Sequence, residues 1–267
     1  MALGVACAVL SVFVVARRWA FIGEGISHSA FGGAGFAWLL MLALPAAANQ
    51  LWVLYLAVVV FCLGTALAIG YLSRGNRVTG DAAIGIFLVA SLAFGVLAQQ
   101  IFRHVNGGKD PPAFAQFLIG ETTQLNSQMT VAVLLVSAAV LIIVAALSKE
   151  ILAYCFDPQM AEAAGVRVGF VHYLLIVLIA VMIMVGVQMI GALMMTALLV
   201  LPAATANLLS RELNKVLILA IAAAIVSAVA GVLLNAAWSF IPTGPAIVLT
   251  LFMEFVIAYA ASRVLVQ

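Results

Sequence analysis

Charged side chains are scarce in this 267-residue chain: Asp, Glu, Lys and Arg make up 7% of it, while 67% is hydrophobic. A soluble domain is about a quarter charged, and without those groups a water-facing surface of this size cannot be covered. The formal net charge of +2 is too small to imply a nucleic-acid or acidic partner. Cysteine is nearly absent as well. Cys7, Cys62 and Cys155 form no CxxC pair and no even set, and the first two fall inside apolar runs, where they read as small buried hydrophobes. No GxxxxGK[ST] loop occurs, so the chain lacks that device for cradling ATP phosphates. There is no low-complexity segment, no linker and no convincing repeat, and residues 1–267 read as one domain. No cleavable signal stands out. The opening apolar run, 1–16, is short, and some native sequence is expected ahead of it.

What is abundant is continuous hydrophobicity. Backbone polar groups in lipid must pair within the chain, which leaves helices or closed barrels. Barrel strands alternate apolar and polar over about ten residues. Here the runs are unbroken and near the ~20 residues a helix needs to cross a ~30 Å core. The fold class is therefore an all-α polytopic membrane protein. Breaks at charges, glycines and prolines divide it into about nine spans (eight or nine): 1–16, 19–44, 51–72, 81–101, 129–147, 170–187, 189–209, 216–238 and 245–262. The stretch 170–209 as one helix would be about 60 Å long, twice the bilayer core. It is expected to fold back through Gly186-Val187-Gln188-Met189-Ile190-Gly191.

The basic residues test this threading. Nine spans put Arg17, Arg18, Arg74, Arg77, Lys149, Arg167, Arg211, Lys215 and Arg263 on one side and only Arg103 and Lys109 on the other. The positive-inside rule makes the rich side cytoplasmic, with the N-terminus outside and the C-terminus inside. Loop 102–128, on the outer side, holds the turn Asn106 to Pro112 and an apolar piece, Phe114 to Gly120, suited to a half-depth or surface helix. Loop 148–168, on the inner side, holds Asp157 as a good N-cap, Pro158 for the first helical position and Gly165 for the residue past the end. These bracket a two-turn helix over 158–164 on the cytoplasmic face.

Several ordered motifs carry a resemblance. Arg17-Arg18-Trp19-Ala20-Phe21-Ile22-Gly23-Glu24-Gly25-Ile26-Ser27-His28 resembles the RR-x-A-x-x-G-D-x-x-S-H signature of permeases from the zinc, manganese and iron branch of ABC importers. Gly80-Asp81-Ala82-Ala83-Ile84-Gly85-Ile86 looks like that family's fourth-span entry. Phe156-Asp157-Pro158-Gln159-Met160-Ala161-Glu162-Ala163-Ala164-Gly165 is similar to its F-D-P-E-x-A-x-A-x-G loop. Leu201 to Ala206 and Pro242-Thr243-Gly244-Pro245 to Leu249 complete the pattern. Two departures stand out: Glu24 replaces the usual Asp, and Phe31-Gly32-Gly33 replaces the usual Leu-Pro-Gly.

The resemblance implies a type II ABC importer-like permease in a bacterial inner membrane. It implies a homodimer or close-homologue dimer, cytoplasmic ATPase subunits that hold ATP and Mg, and a solute-binding protein delivering a divalent metal near 102–128. It makes 157–165 the coupling helix, with Asp157, Pro158, Gln159, Met160, Glu162 and Gly165 meeting the ATPase. No cofactor is expected on this chain itself.

Three intramembrane ionisable residues are candidates for the ion's path. Glu24 and His28, at i and i+4, share one helix face, and counting from Arg17 places His28 near the midplane. Carboxylate plus imidazole suits Zn, Mn or Fe(II), but two ligands are too few for a stable closed site. The same pair could lock the helix to a neighbour, or handle a proton. Glu254 lies nine residues before Arg263, roughly 13 Å deep. It could complete a cation path, pair with Gln188 or Thr196, or sit as a protonated acid. Asp81 suits a helix N-terminus and could tie down Arg74 or Arg77. Pro202 marks a kink or hinge among small residues, and Pro242 and Gly244 are structural or gating candidates. His104 and His172 are expected at span ends, solvated or interfacial. The alternatives from other classes are a permease of cobalamin or iron-chelate importers, an ion-coupled carrier, and a serine hydrolase built on Ser27. Ser27 and His28 are helix neighbours pointing about 100° apart, which argues against the last.

Overall fold

The computed structural model of the chain describes residues 1–44, 51–74, 78–111, 127–238, 240 and 242–265. Among these residues the regular structure is helical: α1 Ala2–Ala16, α2 Ile22–Ala43, α3 Leu51–Arg74, α4 Gly80–Val105, α5 Ser127–Ala146, α6 Ser148–Phe156, α7 Pro158–Ala163, α8 Val168–Ile190, α9 Ala192–Leu209, α10 Leu213–Ala237 and α11 Thr243–Leu265. A helix stands at each of the nine expected spans. Six of them, α2, α3, α4, α8, α10 and α11, are long and apolar enough to cross a membrane. Helix α5 meets that test only together with α6, from which it is bent by 71°, while α1 and α9 are shorter apolar helices. The apolar piece expected over 114–120 lies outside the described residues.

Local chemistry sets the breaks. The expected reversal between the sixth and seventh spans begins later than the sequence suggests: Gly186 to Ile190 remain helical, and the break falls at Gly191, whose φ of +81° is left-handed. Glycine reaches that conformation without the Cβ penalty other residues meet. Helix α6 is an element the sequence reading leaves as loop; its nine residues run into Asp157, which serves as its C-cap and as the N-cap of α7.

The described contacts form two compact units. The first comprises Met1–Ala20, Leu125–His172 and Leu193–Gln267; the second comprises Phe21–Gln124 and Tyr173–Ala192. In the first, α1 packs on α10, α5 and α6, and α10 packs on α11. Its core is made of short side chains: Ala8 and Val12 of α1 meet Ala203 and Ala206 of α9 and Val216, Ala220 and Ala224 of α10. Lipid offers helices no hydrophobic reason to associate, so close approach of small residues supplies the contact.

The second unit is built around α2, which lies against α3 and α4. A Cβ on Gly33 would stand 2.8 Å from the Cα of Val58 and one on Gly32 2.8 Å from the ring of Phe61. One on Gly35 would stand 2.9 Å from the Cα of Gly95 in α4. The backbones are thus as close as glycine permits. Ser29 Oγ donates to the carbonyl of Gly25 at 2.8 Å and lies 3.4 Å from Ser91 Oγ across the α2–α4 contact.

Two predictions follow from this packing and capping. Gly33→Ala places a methyl against backbone and is expected to destabilise the fold by about 1–3 kcal/mol. Gly64→Ala, where nothing lies within 4 Å, leaves the thermal midpoint of the detergent-solubilised protein unchanged or slightly raised; equal midpoints for both variants would contradict the close α2–α3 contact. Asp157→Ala removes an N-cap carboxylate worth about 1 kcal/mol and should speed amide exchange at Gln159 and Met160 about fivefold.

Candidate functional site

Helix α2 begins at Ile22, not near Trp19, because residues 17–21 form the turn that ends α1. Glu24 therefore lies in its first turn and His28 about 9 Å along its axis, nearer the helix start than the count from Arg17 implies. The i,i+4 spacing brings the two side chains together: the Nε2–H of His28 donates to Oε1 of Glu24 at 2.7 Å. Both are under a third exposed, 29% for His28 and 28% for Glu24. The bond runs along α2, so by itself it ties α2 to no neighbour. It also orients the imidazole. With Nε2–H given to the carboxylate, Nδ1 is the nitrogen left to take a metal ion, the arrangement in which a carboxylate orients and sharpens a ligating histidine. Between them in the chain is Ser27, which the sequence reading weighs only as a hydrolase nucleophile. Ser27 is 3% exposed and its Oγ has no hydrogen-bond partner among the described residues.

Glu254 is on α11, in the first unit, while Glu24 and His28 belong to the second. Its carboxylate oxygens are both buried without a hydrogen-bond partner among the described residues. A pairing with Thr196 is therefore not formed, and the side chain of Gln188 lies outside the described residues. Glu254 lines a cavity of about 350 Å³ with Thr205, Ala206, Ala222 and Ala258. The Oγ1 of Thr205 is likewise buried and unpartnered. The described residues hold no group of three or more His, Cys, Asp or Glu able to hold a metal ion.

The 157–165 segment folds as the sequence reading expects. Asp157 Oδ1 accepts from the backbone N–H of Gln159 at 2.9 Å and of Met160 at 3.1 Å, and Pro158 fills the first helical position. At the other end Gly165 takes φ +86°. Its N–H donates to Glu162 O and that of Val166 to Ala161 O, both at 3.0 Å, the paired bonds of a Schellman close. Only Ala161 of this helix is buried. Phe156 and Met160 stand 72% and 71% exposed, and Gln159 and Glu162 are also exposed. The segment is thus a short, capped helix with one bare apolar side chain of its own, Met160, and a second, Phe156, at the end of α6 beside it.

The remaining candidates have plainer settings. Asp81 is exposed in the first turn of α4, behind the N-cap Thr79, whose Oγ1 accepts from Ala82 N at 3.3 Å. It makes no ion pair with Arg74 among the described residues, and Arg77 lies outside them. Pro202 is buried inside α9. Pro242 is exposed immediately before α11, and Gly244 is buried in its first turn. His104 is exposed, as expected. His172 is not: it is 5% exposed, with Nδ1 2.6 Å from the hydroxyl of Tyr154. The span-end position is right, but α6, absent from the sequence reading, covers the ring.

Comparison with known proteins adds the lineage. The chain is 30% identical over 256 residues to the manganese transport system membrane protein MntC of Halalkalibacterium halodurans, spanning 96% of this chain and 82% of that one. It is 30% identical over 261 residues to a probable iron transport system membrane protein of Haemophilus influenzae, spanning 98% and 90%. Among solved structures it resembles PsaBC from Streptococcus pneumoniae in complex with Fab, with a TM-score of 0.74 and 25% identity over 97% of this chain and 87% of that one. Residues 1–262 match one family throughout, and this chain belongs to the ABC 3 transport family.

Proposed function

We propose that this chain is the membrane-spanning subunit of an ATP-driven importer of a divalent transition-metal ion, with manganese and iron ahead of zinc. The observation that carries the reading is the Glu24–His28 pair, held at 2.7 Å on the tightly packed helix α2 of an ABC 3 chain. Imidazole and carboxylate suit these borderline ions, and the names of the manganese and iron relatives favour those two. One histidine ligand, oriented by the Glu24 carboxylate, holds an ion weakly, which suits a step on a path better than storage. The remaining ligands are supplied by water or by a second copy of the chain in a homodimer with a type II importer architecture.

In this reading nine helices cross a bacterial cytoplasmic membrane, with α5 crossing and α6 lying along the surface. The N-terminus is outside and the C-terminus cytoplasmic, supported by the nine-to-two division of basic residues. Helix α7 is the coupling helix: its capped ends and exposed Gln159, Met160 and Glu162, with Phe156 exposed at the end of α6 beside it, suit a cleft in a separate cytoplasmic ATPase, which binds ATP and Mg and performs the hydrolysis. A solute-binding protein delivers the ion at the outer face. The chain itself is not an enzyme.

The test is uptake by proteoliposomes holding the chain with its candidate ATPase and binding protein, supplied with Mn, Fe(II) and Zn in turn. His28→Ala and Glu24→Gln are each expected to lower ATP-dependent uptake about 10- to 100-fold while the complex assembles and hydrolyses ATP. Undiminished uptake in both variants would overturn the assignment of the pair to the ion's path.

A further inference from the structure

The most elaborate side-chain cluster of the first unit lies away from the proposed ion path, at the end of α1. The last turn of α1 closes as α7 does. The N–H of Arg18 donates to Val15 O at 3.0 Å and that of Trp19 to Val14 O at 2.9 Å, the Schellman pair. The residue that must go left-handed is glycine in α7 and Arg18 here, with φ +58°. A non-glycine residue in that conformation costs on the order of 1–2 kcal/mol, and such strain persists only where the surroundings enforce it.

What the strained turn does is aim its two neighbours at α6 and at the start of α8. The Arg17 guanidinium carbon stands 4.3 Å above the Tyr154 ring and 5.6 Å from that of Trp19, within cation–π range of both. Trp19 meets His172 edge-on at 5.5 Å. The Tyr154 hydroxyl and His172 Nδ1 are joined at 2.6 Å, with Tyr154 2% exposed. Among the described residues no carboxylate pairs with Arg17, and its Nε is buried without a hydrogen-bond partner. The guanidinium is thus held by ring faces.

The placement of the four residues gives the cluster its meaning. Tyr154 is three residues before Asp157, the cap that starts α7. The chain leaves the first unit after Ala20 and again after His172, so Trp19 and His172 stand at the two exits. The first exit leads directly into α2 and its Glu24–His28 pair, the second into α8. We propose that Arg17, Trp19, Tyr154 and His172 are positioning residues that join the α6–α7 segment to both exits, so that displacement of α7 by an ATPase reaches the root of α2. This rests on the proposed function. A cap alone would need neither the cation seated on ring faces nor the Tyr–His bond.

The experiment measures ions imported per ATP hydrolysed, in proteoliposomes holding the chain with its ATPase and binding protein, for wild type, Tyr154→Phe, Arg17→Gln and Arg17→Lys. Tyr154→Phe keeps the ring and removes the hydroxyl that is joined to His172. Complexes of the Phe and Gln variants are expected to assemble and hydrolyse ATP at near the wild-type rate, while ions per ATP fall about five- to tenfold, with Arg17→Lys recovering part of the loss. If uptake and hydrolysis fall together, or if ions per ATP do not change, the cluster is structural and the inference is overturned. If wild type shows no ATP-dependent uptake, the proposed function fails and takes this inference with it. Wild-type uptake with unaltered variants defeats the inference alone.

Discussion

Helices in hydrocarbon gain nothing from meeting one another through apolar surface, because lipid tails are as apolar as leucine. Contact must come from backbones close enough for dispersion and weak polar bonds to add up. Helix α2 meets that constraint most fully: Gly32, Gly33 and Gly35 let it approach α3 and α4 to distances a single methyl would violate. The same constraint explains the alanine-rich seam of α1, α9 and α10. Since Glu24 and His28 ride on α2, the packing that holds the unit together also fixes where these two side chains stand. A site on a rigid element keeps its geometry better than one on a loop.

The ends of helices show a second economy. Asp157 and Gly165 close α7 with the residue types that suit those positions, so the segment costs little to form and stays rigid while almost wholly exposed. The end of α1 has the same hydrogen-bond pattern but the wrong residue for it, Arg18. Rigid ends that are cheap and rigid ends that are strained do different things. The first makes a handle; the second stores a direction, maintained by Trp19 packing and by Arg17 over Tyr154.

Buried polar groups without partners form a third pattern. Ser27, Ser137, Thr205 and Glu254 each hold an atom of this kind among the described residues, and each such atom costs about 1–3 kcal/mol relative to a satisfied one. Ser27 adjoins the Glu24–His28 pair in sequence, and Thr205 shares a cavity with Glu254. These are the places where water or another chain would find bonds to make.

Most of the architecture was legible in the residues because lipid leaves so few choices. Nine apolar runs became helices at the expected places, and the α7 brackets were read correctly from Asp157, Pro158 and Gly165, since caps are local chemistry. The i,i+4 meeting of Glu24 and His28 follows from helix period alone. What the sequence could not reveal are features decided by which of several local closings the fold takes and by which side chains meet in it. The start of α2 at Ile22 depends on how α1 closes, and the persistence of α8 to Ile190 reflects a choice between two glycines, Gly186 and Gly191, that look alike in a sequence. The burial of His172 requires Tyr154, eighteen residues earlier, on a helix whose mixed composition gives no strong period. The sequence by itself determined that this chain lives in lipid as helices and which of its loops is capped. Only the tertiary structure decided which polar groups meet, because in a membrane a side chain's partner is set by how closely two backbones approach, and that depends on every helix at once.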